Sequence, residues 1–224
     1  QSSDFASEPR EITGTVARYR RDVGQRSTVG VLYTGREGGP YFNRVGGPDV
    51  QFRIGESEMI TFQYLRSETQ YSAGIAEQYA QPSSQFAGNA VRATYDHFAR
   101  FWYWGAGYTD RDEGFRADSG FVPRVDLRQA NGYVQRRFWG TGSGWFTTFD
   151  VAVQGNRATD HDGQLTDNGV TFTAQYQGPL QSSIVGAVSR QNERYAGVMY
   201  DGTVGRVNVS IKPSGAVALQ LNSR

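Results

Sequence analysis

A chain of 224 residues with 23 basic and 22 acidic side chains, 28 glycines, 13 tyrosines, 13 phenylalanines and no cysteine carries no electrostatic footprint for nucleic acid. It also offers no disulfide framework and no Cys-based metal or redox chemistry. No apolar run approaches the roughly 20 residues that a membrane-spanning helix needs, so a helical membrane protein is excluded. A strand-built one is not, because lipid-facing and polar residues alternate along each strand and cancel in any hydropathy average.

Taken in chain order, the predicted elements are strands. Gly14 to Arg21 alternates only partly. Val29, Val31 and Tyr33 then oppose Thr28, Gly30 and Thr34, and Val50, Phe52 and Ile54 oppose Asp49, Gln51 and Arg53. Ile60, Phe62 and Tyr64 oppose Thr61 and Gln63, while Val91, Ala93 and Tyr95 oppose Arg92, Thr94 and Asp96. Trp102 to Tyr108 and Val125 to Arg137 are weaker segments. Phe149, Val151 and Val153 oppose Thr148, Asp150 and Gln154. The clearest alternation sets Val170, Phe172, Ala174 and Tyr176 against Thr171, Thr173, Gln175 and Gln177. Ser183 to Ser189 is weak; Val207, Val209 and Ile211 oppose Arg206, Asn208 and Ser210; and Ala216 to Leu221 closes the series. Period two is the pattern of a strand with one oily and one polar face.

Short turns fall at Asp22 to Gln25, Gly55 to Ser57, Phe98-Ala99, Gly140 to Gly144, Gly178-Pro179 and Lys212 to Gly215. Longer polar stretches separate them at Arg36 to Pro40, Ser67 to Gly88, Asp110 to Pro123, Gly155 to Asn168 and Gln191 to Gly202. Strict alternation of short and long connections is the habit of outer-membrane barrels, whose periplasmic turns are short and extracellular loops long. Phe98, Phe101, Trp102, Phe138, Trp139, Trp145 and Phe146 gather at the short-turn end, as an interfacial aromatic girdle would. The expected fold is therefore an all-β, antiparallel up-and-down transmembrane β-barrel with about twelve strands in residues 1–224, read as one unit. A propeller needs four strands in each repeat of this length, and only two are present.

Three segments carry a resemblance: Arg20 to Gly24, Asn43 to Asp49, and Gly114 to Asp126, the most specific part being Gly120-Phe121-Val122-Pro123-Arg124-Val125-Asp126. They resemble the C-terminal barrel region of large bacterial proteins catalogued as a domain of unknown function. That region usually follows an N-terminal sandwich similar to family-nine carbohydrate-binding modules. The resemblance runs from about Thr15 to near Phe138, and it implies a barrel in the bacterial outer membrane, with no established catalytic residues. Both chain ends fall on the long-loop side, so the expectation is an internal window of a barrel of 14 or more strands.

Charges facing lipid near the midplane cost about 2 to 4 kcal/mol for Arg, which assigns Arg18, Arg20, Asp49, Gln51, Arg53, Arg92, Asp96, Asp150, Gln175 and Arg206 to the lumen. Ile60, Phe62, Tyr64, Phe172 and Tyr176 are assigned to lipid. The lumen set either lines an aqueous path or forms Arg-Asp pairs that close the interior, and the mixed signs favour pairing. His97 and His161 each follow an aspartate, Asp96 and Asp160; they are read as structural, because the two fall at opposite ends and no second carboxylate pair accompanies either. Asp110, Asp112, Glu113 and Asp118 crowd one loop and Asp160, Asp162 and Asp167 another, without calcium-loop spacing, so no metal and no cofactor is assigned. Phe115, Phe121 and Val122 are apolar anchors by which Gly114 to Asp126 can fold over the barrel mouth, whereas Ser67 to Gly88 has only Tyr71, Ile75, Tyr79 and Phe86.

The function expected is a non-enzymatic outer-membrane channel, or an anchor and scaffold for a carbohydrate-related surface or periplasmic module. Its partners would be outer-membrane lipid, with carbohydrate or other membrane and periplasmic proteins as further candidates. An outer-membrane hydrolase and a soluble carbohydrate-binding β-sandwich are the rivals.

Overall fold

The computed structural model describes residues 11–142, 144–214 and 217–223. Ser143, Gly215 and Ala216, which belong to the expected turns and the last expected strand segment, lie outside the described residues. All twelve expected strands are present: β1 (Thr13–Val23), β2 (Ser27–Gly38), β3 (Tyr41–Ile54), β4 (Glu58–Gln70), β5 (Phe86–Phe98) and β6 (Trp102–Arg111), followed by β7 (Leu127–Trp139), β8 (Thr148–Thr159), β9 (Leu165–Gly178), β10 (Ser182–Tyr195), β11 (Val198–Ser214) and β12 (Val217–Ser223). They form one antiparallel up-and-down sheet in which every strand neighbours the strands adjacent in sequence. One short helix, α1 (Ala73–Gln78), interrupts the connection between β4 and β5.

Two compact units share this sheet, one gathering the chain up to Arg53, Met59–Thr94 and Tyr108–Arg128, the other Ile54–Glu58, Tyr95–Gly107 and Gln129 onward. In the first unit, Arg18 stands opposite Leu32 and Leu32 opposite Gly47, and one step along the strands Arg20, Gly30 and Asp49 form the same series. Directly opposed residues share a face. Arg18, Arg20 and Asp49 therefore lie on one face, and Tyr19, Val31 and Pro48 lie on the other side. In the second unit Asp150, Gln175 and Val185 are in line, as are Ala152, Thr173, Ala187 and Arg206. The alternate rows are Phe149, Tyr176, Ile184 and Val209, and Val153, Phe172 and Val188. Each unit thus has one polar and one apolar face.

The expected alternation of connection length is corrected by the structure. The β2–β3 and β10–β11 links are only residues 39–40 and 196–197, and the β8–β9 link is residues 160–164, whereas the β7–β8 connection spans 140–147. Arg36 to Pro40, Gly155 to Asn168 and Gln191 to Gly202 have the pattern of loops because they lack an oily face. A backbone ladder does not require one. Pairing continues through polar positions such as Arg157 with Asn168 and Asn192 with Asp201, and the Asn192 amide donates to Asn168 Oδ1 at 2.8 Å. The β10–β11 link turns on Ala196 and Gly197, with φ of 49° and 81°, the positive pair that a two-residue hairpin needs. Most strands consequently exceed the roughly 9–11 residues that cross a bilayer.

Candidate functional site

In the first unit the chain between β6 and β7 lies on the polar face of β3, β4 and β5. Phe115 is its apolar anchor, 3% exposed. It seats over Gly88, where an added Cβ would stand 2.1 Å from the Phe115 nitrogen, so only glycine lets the loop approach this closely. Asn43, 1% exposed, holds the loop as a neighbouring strand would. Its amide donates to Arg116 O at 3.1 Å and to Thr69 Oγ1 at 2.8 Å, and its Oδ1 accepts the Asp118 N–H at 2.9 Å. Ser67 Oγ accepts the Arg116 N–H at 3.0 Å. Such buried polar groups persist because each is satisfied.

The loop's own charges are satisfied around this clamp. Asp118 accepts from Tyr41 OH at 2.9 Å and from Tyr71 OH at 3.1 Å, and the two rings stack with centroids 6.1 Å apart. Burial, then the Asp118 charge, pushes the Tyr71 phenol up to about 12. Arg116 reaches back to Gln81 Oε1 with two N–H donors at 3.0 and 2.8 Å. The β4–β5 connection, whose few expected anchors include Tyr71, is tied to the inward loop through Tyr71 and also through Gln81. Phe121, expected as a second anchor, is instead 89% exposed; Phe115 alone fills the space above Gly88.

Of the residues expected on the lumen side in this unit, Arg18, Arg20, Asp49 and Gln51 are brought together. Arg18 pairs with Asp49 at 2.7 Å, and Arg20 donates to Thr28 at 2.9 Å and Gln51 at 3.3 Å. Arg53 sits near the β3 turn, where its backbone N–H donates to Ser27 Oγ at 3.2 Å. Arg92 faces a cavity beneath the inward loop. Tyr64 lies on the opposite face with Ile60 and Phe62 and donates to Asn89 Oδ1 at 2.7 Å. Asp112 accepts from the Asn89 amide at 2.7 Å, and Asp110 from Tyr108 at 3.0 Å.

In the second unit Arg137 makes a two-pronged pair with Asp150 at 2.8 and 3.0 Å. Asp96 accepts from Tyr133 OH at 3.0 Å. His97 projects from the other side of β5, its Nδ1 2.6 Å from Glu58 Oε1 and its ring stacked on Trp104; Tyr95 also donates to Glu58. Asp96 and His97 therefore do not form a catalytic pair. Gln175 and Arg206 hold polar-face register positions, while Phe172 and Tyr176 stand on the apolar face. Tyr176 stacks on Trp145 and donates to its carbonyl at 2.6 Å. At the short-turn end Arg136 lies over Phe101, Trp102 and Phe138 at 5.2, 4.9 and 5.4 Å. It shares a face with Val134 and Phe138, opposite the face of Tyr133 and Arg137.

Sequence reasoning missed Asn43, Ser67 and Thr69, because an internal polar residue of a strand looks the same whether it meets water or a loop. Arg137 was missed as well, the pattern of its segment being weak. The class defined by this geometry is an antiparallel meander with one apolar face, one charge-paired face and a loop folded onto the latter. Compared with protein families, curated proteins and solved structures, the chain matches none.

Proposed function

We propose that this chain is the wall of a non-enzymatic β-barrel in the bacterial outer membrane, acting as an anchor or scaffold. The observation that carries the reading is the apolar face. Tyr19 (62% exposed) and Val31 (48%) in the first unit, and Phe172 (51%) and Val188 (56%) in the second, are large and uncovered, and within each unit the strand register places the pair on one face. Soluble proteins rarely leave such rows open to water. Lipid accepts them without penalty, and β2 to β11 each pair with a neighbouring strand on both sides, the satisfaction of backbone groups that a bilayer demands. The aromatic residues around Arg136 suit the level of the headgroups, where amphipathic rings concentrate.

The anchor role is favoured over a wide pore by the polar face of the first unit, where the Asn43 clamp and the Arg18–Asp49 pair fill space that a channel would leave to water. The resemblance of Asn43 to Asp49 and Gly114 to Asp126 to barrel regions that follow a carbohydrate-binding-like sandwich supports a carbohydrate-related module as the cargo. Those two segments are the ones that the Asn43 clamp joins. A channel is the second reading, supported by the uncharged row of Gln154, Thr171 and Ser189 in the second unit, where Thr171 and Ser189 hydroxyls lie 2.9 Å apart.

Single cysteines test the membrane assignment. In proteoliposomes, cysteines at Ile60, Phe62, Val170 and Phe172 are expected to resist a water-soluble thiol reagent, while those at Gln63, Thr171 and Gln175 react. Equal labelling of the two sets would refute it. Conductance of the same preparation in planar bilayers separates channel from anchor: a sealed bilayer agrees with the anchor, steady open currents with the channel.

A further inference from the structure

The inward loop roofs a cavity of about 220 Å³, lined among others by Gln63, Leu65, Arg92, Arg111, Phe115 and Val122. We propose that this cavity binds a small organic acid, its carboxylate held between Arg92 and Arg111 and its apolar part against Leu65, Phe115 and Val122. Two like charges face one space and repel one another, and no carboxylate is among the described residues of the lining. Elsewhere on the polar face the chain answers arginine with an acid, as at Arg18–Asp49 and Arg137–Asp150. Here it does not. Arg92 has no hydrogen-bonded or ion-paired partner among the described residues, and Arg111 spends one N–H on the Arg124 carbonyl at 3.3 Å. The acids adjacent to Arg111 in sequence are engaged: Asp110 with Tyr108 and Arg128, Asp112 with Asn89.

Arg111 is part-buried and Arg92 exposed; a guanidinium that has lost hydration, as that of Arg111 has, recovers it best from an oxyanion, which accepts two parallel N–H donors. Most of the remaining wall is apolar, so inorganic anions would leave it unfilled, whereas an acid bearing an aliphatic or aromatic group satisfies both halves. The volume lies below the roughly 300–1,000 Å³ of pockets for drug-sized ligands, which limits the ligand to a small acid. This site does not depend on the membrane reading, since its walls all come from the first unit.

The test is titration of benzoate into the full chain in detergent, followed by calorimetry, beside benzylamine and benzyl alcohol as cationic and neutral matches of shape and chloride as a bare anion. Benzoate is expected to bind, and the three controls are not. Arg92→Gln and Arg111→Gln are each expected to weaken benzoate by about tenfold or more, the range for loss of a charge-assisted pair, with Arg92→Lys retaining part of the affinity. Arg206→Gln, on the polar face of the other unit, should leave it unchanged. Thermal unfolding of each variant verifies that the fold persists; if Arg111→Gln does not fold, Arg92→Gln and Arg92→Lys decide. Absence of benzoate binding, equal binding of benzyl alcohol, or wild-type affinity in Arg92→Gln would overturn the proposal.

Discussion

Replacing Asn43 with alanine is expected to free the inward loop while leaving the sheet intact. The side chain makes three hydrogen bonds, two of them to loop backbone: the Arg116 carbonyl at 3.1 Å and the Asp118 N–H at 2.9 Å. Each buried group left unpaired costs about 1–3 kcal/mol, so the two backbone groups set a ceiling of about 6 kcal/mol. The loop can escape part of this by opening to water, which makes about 2–3 kcal/mol of weakened closure the realistic figure, or roughly 30- to 150-fold more opening. Hydrogen exchange in detergent reads this directly: the Asp118 amide should exchange faster by that factor, and trypsin should cut after Arg116 and Arg124. Amides in the β9–β10 ladder should be unchanged. An unaltered Asp118 exchange rate in Asn43→Ala would mean that the loop is held by Phe115 alone.

Two further outcomes follow from the geometry. Phe172→Arg should destabilise the membrane-folded chain by about 2–4 kcal/mol if the position lies near the midplane, while Thr173→Arg on the opposite face costs much less; denaturant titration in lipid checks the order, and a reversal would exchange the faces. Tyr71 keeps its proton in the folded loop up to about pH 12, whereas a freed tyrosine loses it near pH 10. Its contribution to loop closure is therefore complete below pH about 10 and declines between about 10 and 12, measurable as faster proteolysis of the loop that parallels tyrosinate absorbance; Tyr71→Phe should abolish the parallel.

The existence and order of the strands were legible in the sequence because period-two alternation records which residues meet water and which meet oil. Phe172 and Thr173 are unambiguous for that reason. The same signal faded where both faces are polar, so the outer halves of β8, β9, β10 and β11 looked like loops although Arg157, Asn168 and Asn192 continue the ladder. Arg18 and Asp49 were placed on one face by alternation alone, but their contact depends on register, which a turn one residue longer would shift. Asn43 carried no local mark of its role, since its partners Arg116 and Asp118 are determined by tertiary folding. Phe121 illustrates the opposite failure: hydrophobicity suggested an anchor, yet the single space above Gly88 holds one ring.

The Asn43 clamp also bears on how the chain assembles. Its bonds to Arg116 and Asp118 join residues 73 and 75 positions apart, whereas most hairpins of the meander close over a few residues. Contacts of long sequence separation carry loop-closure entropy that must be met before they return any stabilisation. Hairpins can therefore zip in succession while the β6–β7 segment is still at large, and the clamp forms only after β3, β4 and β5 have set their common face. The loop is in this sense the last piece laid, and a stalled assembly intermediate would expose Phe115, Gly88 and the Asn43 amide together.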